Sequence, residues 1–243
     1  DEGALSKNLF PKDFIINIPP PPNYFGAEKI YGLQKTEGKS FQLPIVKELS
    51  EIEEYESIIT PKHKKDLIID SLPSDLKLAI RSFYLSASAK RLRGITNSHN
   101  SMLIHVTRFV DVQDQIANKV QEYQDELKHS ILANDENILL RFKEEWNDFI
   151  KTTEFYNEIS VQDRREIGNW EDLLIELRKF ANLLKPVKKI FGHSKDSLEY
   201  KQYKDGLNVI CVGGDKLSRG LTLNGLTVSF FSRAASTYDT LMQ

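Results

Sequence analysis

The chain has 243 residues, 40% hydrophobic and 28% charged, with a formal net charge of -2. This is the composition of a soluble globular protein with room for one large domain or two small ones, and it gives no bulk attraction to nucleic acid, so any basic surface must be local. One cysteine, Cys211, excludes a disulfide framework or a cysteine-based zinc site within the chain and fits a reducing, cytoplasmic setting; no apolar run is long enough to span a membrane.

The N-terminal Asp1-Glu2-Gly3-Ala4 lacks the basic and apolar regions of a signal peptide. It also lacks an initiator Met, and the chain stops within a predicted helix, so a piece of something longer is expected. A strand-like run over 9–18 leads into Pro19 to Pro22, which lack N–H donors and favour an extended, rigid linker. Residues 31–72 mix acidic and basic patches around Pro61 and read as a connection with little core of its own.

Ser74 is expected to start a helix, with Asp75 near its positive end. Leu76, Ile80, Phe83 and Ala87 recur at helical spacing, and Gly94 ends the element. Lys90, Arg91 and Arg93 just before that end complement the helix dipole or contact phosphate; the sequence leaves both open. A buried strand over 101–108 comes next, and His105 within it reads as a hydrogen-bonded core histidine. The next helix carries one apolar stripe, Val112, Ile116, Val120, Tyr123, Leu127 and Ile131.

Residues 134–184 read as entirely helical, with Phe142, Trp146, Phe149 and Ile150 in one amphipathic set and Leu173, Leu177, Phe180 and Leu184 in another. Pro186 ends this region, 187–191 forms a strand, and 192–194 opens a loop before a short helix from Ser197. Lys185, Lys188, Lys189, Lys195 and Lys201 form the most basic segment, a solvated face or a track for single-stranded phosphates. The histidines are dispersed without metal-ligand spacing, so no metal site is expected. Asp196, Glu199 and Lys201 are too compressed onto one loop and helix start to read as a metal-nuclease element.

The most informative stretch comes last. The apolar run 207–212 stops at Gly213-Gly214; next come Asp215, Lys216, Leu217, Ser218, Arg219 and Gly220, then Leu221-Thr222 and a second apolar strand over 226–231. Continuous apolar strands alternating with helices imply a parallel sheet, and ligands of such sheets sit beyond the carboxyl ends of the strands. A glycine pair there lets backbone N–H groups approach a phosphate, with Asp215, Arg219 and Thr222 the side chains set to face it. A final helix starts at Ser236, with Asp239 three residues on as a capping box.

This stretch resembles motif V of superfamily 2 helicases, in which a strand-end Asp is followed four residues later by Arg-Gly. Run on through Ser232-Arg233 to Tyr238-Asp239-Thr240-Leu241-Met242-Gln243, it is similar to the Z-one domain family, a group of candidate endonucleases built on a helicase-like ATPase core. The segments Leu9-Phe10-Pro11-Lys12-Asp13-Phe14-Ile15 and Tyr24-Phe25-Gly26 resemble the region just after the first ATPase lobe in that family. Thr107-Arg108 at a strand end resembles helicase motif IV.

The resemblance implies an α/β fold: a RecA-like parallel sheet of the P-loop NTPase type with flanking helices and an all-helical insertion. It divides the chain into an interlobe linker (1–72), the C-terminal RecA-like lobe (73–133 and 186–243) and the insertion (134–185). It assigns Gly213, Gly214, Asp215, Arg219, Gly220, Thr222 and Gln243 to nucleotide, and Thr107, Arg108, His193, Ser194, Lys195 and Ser218 to the nucleic-acid backbone. Many superfamily members carry an acid at the position of Thr222. ATP and Mg2+ are expected, held mainly by a first lobe outside this chain, since no Walker A pattern occurs here. DNA and that first lobe are the expected partners, with no membrane. The rival readings are an ATP-independent DNA-binding or scaffolding module, and a metal-dependent nuclease with its site in the insertion.

Overall fold

In a computed structural model of the chain, Gly26, Ile30 and residues 43–159, 165–190, 198–213 and 223–232 are described. The chain divides into two units, Asp1–Lys47 and Glu48–Gln243. In the first, the Ile30 amide donates to the Gly26 carbonyl at 3.1 Å. The sheet and its helices belong to the second.

Among the described residues four short segments form strands: β1 (Asn100–His105), β2 (Lys188–Ile190), β3 (Asn208–Gly213) and β4 (Leu226–Phe231). All pair in parallel, in the spatial order β2-β3-β1-β4. The last two strands, expected to share one parallel sheet, do so, with β1 between them. Ile104 stands opposite Val212, and His105 opposite Phe231.

Five α-helices accompany the sheet among the described residues: α1 (Ile52–Ile58), α2 (Ser74–Leu92), α3 (Val110–Ala133), α4 (Glu136–Ile159) and α5 (Trp170–Leu183). The pleat sends alternate side chains to opposite faces. Met102 and Ile104 of β1, Ile210 and Val212 of β3, and Phe230 of β4 join the buried faces of these helices in one core. Leu207, Val209 and Cys211 point the other way, into a smaller cluster with Ile190 and Leu198, against which Tyr200, Tyr203 and Leu223 pack. The helical stripes read from spacing are buried: Leu76, Ile80, Phe83 and Ala87 on α2, and Val112, Ile116, Val120, Tyr123, Leu127 and Ile131 on α3.

As expected, α2 starts at Ser74 with Asp75 in its first turn. The Ser74 amide and hydroxyl donate to the Glu54 carboxylate at 3.0 and 2.8 Å. Asp75 accepts from the Ser50 amide and hydroxyl and the Glu51 amide, fastening the segment before α2 to the lobe. One expectation needs correction: 134–184 is not one helical block. Asn134 takes a left-handed conformation and closes α3, Asp135 caps α4, and the non-helical residues 165–169 precede α5, whose cap Asn169 accepts from the Asp172 amide. α5 is not peripheral: Leu173, Leu177 and Phe180 are fully buried in the main core, Phe180 edge-on to Phe83 and Tyr84.

Residues 48–72 build no core of their own. They lend Tyr55, Ile59, Ile69 and Leu72 to the core of the lobe.

Candidate functional site at the carboxyl ends of the strands

The chain leaves β1 towards β2 and leaves β3 towards β4, in opposite directions across the sheet. The adjacent ends of β1 and β3 are therefore where the winding reverses, the place where open α/β sheets hold ligands. Gly213 closes β3 there, one residue beyond the Val212–Ile104 pair. Val106, Thr107 and Arg108 leave β1 beside it, and Ser232 leaves β4 on the far side, its amide donating to the His105 carbonyl at 3.2 Å.

Within the 106–109 loop the residues divide their work. Thr107 is buried, 2% exposed, and Arg108 is exposed. The Thr107 hydroxyl accepts from the Phe109 amide at 3.2 Å and is hydrogen-bonded to His63 Nε2 at 2.7 Å. Its carbonyl accepts from Gln113 Nε2 at 2.6 Å. The Arg108 guanidinium lies over the Phe109 ring, 5.0 Å from its centroid, an exposed residue with its cation held against an aromatic face. Thr107 thus supports the loop from beneath, and Arg108 is the member able to meet a ligand.

Tyr55 on α1 is hydrogen-bonded to the Ser232 hydroxyl and packs on Phe230. Burial pushes its phenol up from the ordinary tyrosine range, against the opposing pull of that hydrogen bond. His105 is buried, edge-on to Phe231 at 4.9 Å between centroids, in keeping with a core role.

The basic cluster at the end of α2 is used by the fold. Lys90 donates to the His99 carbonyl and to Asn100 Oδ1, Arg91 pairs with Glu176 at 2.9 Å, and Arg93 donates to the Glu166 carbonyl. Burial lowers the Lys90 and Arg93 pKa values. Lys189 of the basic segment likewise meets Asp114 at 2.7 Å and Asn118 at 2.8 Å. These cations have protein partners; Arg108 instead stands at the strand ends with an aromatic ring beneath it.

Of the nucleotide set, Gly213 is placed at the carboxyl end of β3, while Gly214, Asp215, Arg219, Gly220, Thr222 and Gln243 lie outside the described residues. Of the nucleic-acid set, Thr107 and Arg108 are placed, and His193, Ser194, Lys195 and Ser218 lie outside, as does the Ser236 helix. The end of β1 and the end of β3 are thus brought together. Among the described residues no three His, Cys, Asp or Glu side chains gather to hold a metal ion, and no helix is long and apolar enough to cross a membrane.

Sequence reasoning missed His63, Phe109, Gln113 and the Tyr55–Ser232 pair. His63 sits in a short basic run without periodicity, and 44 residues separate it from Thr107, so no local pattern points from one to the other. The one available signal was Pro61, a turn-forming residue two positions before the histidine.

A family model for the Z1 domain matches residues 75–243. The match begins in the first turn of α2 and takes in the whole sheet, including the adjoining ends of β1 and β3. No curated protein and no solved structure matches the chain. With more than half its length under that model, the chain belongs to the Z1 domain family.

Proposed function

We propose that this chain is the C-terminal, RecA-like lobe of a superfamily 2 helicase-like ATPase that acts on DNA. The observation that carries the reading is the meeting of the β1 and β3 ends at the winding reversal of an all-parallel sheet, with the glycine-rich stretch from Gly213 leaving one and Arg108 the other. Glycine at a strand end admits phosphate close to backbone N–H groups. The side chains beyond it, Asp215, Arg219 and Thr222, supply one acid, one fixed cation and one hydroxyl, a set suited to a nucleotide's phosphates and ribose.

In this reading ATP sits between two lobes. The other lobe supplies the phosphate-cradling loop and holds Mg2+, and this lobe contributes Arg219 and the Gly213–Gly214 backbone. Arg108, with the 193–195 loop and Ser218, grips the nucleic-acid backbone, so lobe closure moves that grip along or against the strand. Positioning and electrostatic stabilisation carry most of the catalysis of phosphoryl transfer, so a single arginine at the cleft weighs heavily.

The test is ATP turnover, with and without duplex DNA, by a protein carrying both lobes. Arg219→Ala is expected to lower DNA-stimulated turnover at least about a hundredfold while leaving thermal unfolding unchanged. Turnover equal to wild type would reject the role given to Arg219. Divalent-metal-dependent cleavage of DNA by residues 48–243 without ATP would favour a nuclease instead.

A further inference from the structure

The backbone is strained just before His63. Lys62 has φ +60, a left-handed conformation unfavourable for a side chain with a Cβ, and it comes after Pro61 in a turn closed by the His63 amide donating to the Thr60 carbonyl at 3.1 Å. The same carbonyl accepts from His63 Nδ1 at 2.9 Å. A carbonyl oxygen only accepts, so Nδ1 carries the proton, and in the neutral ring Nε2 is left as an acceptor. Nε2 faces the Thr107 hydroxyl at 2.7 Å, which donates to it while accepting from the Phe109 amide. Every polar atom of the ring and of the hydroxyl is thereby used.

The imidazole also touches the residue on the other side of Arg108. Its ring meets Phe109 edge-on, 5.7 Å between centroids, and Phe109 is the ring on which the Arg108 guanidinium lies. His63 therefore holds both neighbours of Arg108: Thr107 by a hydrogen bond and Phe109 by ring packing. Gln113, 2% exposed, clamps the Thr107 carbonyl from α3. Two hydrogen bonds from Gln115, with Ile69 N and Leu67 O, tie the downstream end of the 60–69 segment to the same helix.

We propose that His63 is a positioning residue that sets Arg108 for contact with a nucleic-acid phosphate. This rests on the reading that the 106–109 loop meets nucleic acid. A pre-set guanidinium loses less freedom on binding than a mobile one, so the support is expected to appear as affinity. A purely structural tie would give losses independent of Arg108, whereas positioning makes the two residues epistatic.

The experiment measures binding of a fluorescein-labelled single-stranded and a duplex DNA oligonucleotide by the full-length protein over a salt series, with thermal unfolding in parallel. Arg108→Ala is expected to weaken binding about tenfold and to reduce the salt slope by about one. His63→Ala and Thr107→Val are each expected to weaken binding roughly three- to tenfold, within that same contact. Adding His63→Ala to Arg108→Ala should cost nothing more. His63→Gln, whose amide reaches the place of Nε2, and Thr107→Ser should restore most of the affinity, and they keep the test open should the alanine or valine variant fail to fold.

Wild-type affinity in a folded His63→Ala protein alongside a weakened Arg108→Ala would overturn the positioning role. So would losses that simply add in the double variant. Wild-type affinity in Arg108→Ala would show that the loop does not meet nucleic acid and would remove the inference with it. The turnover of Arg219→Ala, measured separately, would still decide the ATPase reading.

Discussion

Glu176 shows how far individual charges have been drawn into the fold. Its carboxylate takes Arg91 from α2 at 2.9 Å and Lys179 from its own helix at 2.6 Å, and it is only 14% exposed, as is Arg91. Burial raises its pKa, but the hydrogen bonds and charges of Lys179 and Arg91 outweigh that and leave the carboxyl below its ordinary 4.5. A depressed carboxyl contributes stability that is present above the unfolded value and lost as pH falls through the folded one. Glu176→Gln is therefore expected to be less stable than the parent at neutral pH, with the gap closing as pH drops past about 4.5. Urea midpoints across that range would show it; a gap independent of pH would refute the ion-pair account. Arg81 plays a similar part deeper in the lobe, joining Tyr123 of α3 and Glu145 of α4 at 2.6 Å each.

The turns between elements carry a different kind of constraint. Gly94 has φ +81 behind α2, where the Gly94 amide donates to the Arg91 carbonyl and the Ile95 amide to the Lys90 carbonyl, the paired bonds of a Schellman close. A Cβ at Gly94 would meet nothing within 4 Å. Gly225, before β4, has φ +67, and a Cβ there would stand 1.9 Å from the His99 carbonyl oxygen in the approach to β1. The two positions separate strain from collision. Gly94→Ala is expected to cost about 1 kcal/mol, the left-handed penalty alone. Gly225→Ala adds displacement of backbone beside the central strand and is expected to exceed it by at least about 2 kcal/mol. Chemical denaturation of the two variants tests the order; equal costs would mean that the β1–β4 approach yields easily.

One hydrophobic core runs from α1 through the sheet to α5, with α4 packed on it through Phe142 and Trp146. Its largest buried rings, Phe83, Tyr84, Phe142 and Phe180, come from three different helices. Phe180 is 0% exposed and touches two of the others, so Phe180→Ala opens a cavity shared between elements. A loss of about 3–5 kcal/mol is expected, spread over the whole of 48–243 as one lowered transition. Two resolved transitions by fluorescence and circular dichroism would indicate that the helical part between β1 and β2 folds as a separate body.

Much of this architecture could be read from residue order. β4 spans the very residues of its apolar run, and the stripes of α2 and α3 are buried position by position, because burial on one face imposes its period on the side chains. Gly213, where the apolar run stops, likewise announced the end of β3. Partnership between distant residues could not be read. Nothing local tells Asp75, in the first turn of α2, to bind Ser50, tells Arg91 to meet Glu176 across two helices, or sets His63 beneath Thr107. A polar side chain has several adequate partners in the unfolded chain's surroundings, water included, and the choice falls to whichever group packing brings within hydrogen-bond reach. Periodicity is a property of neighbours along the chain, whereas these bonds exist only once the apolar faces have closed.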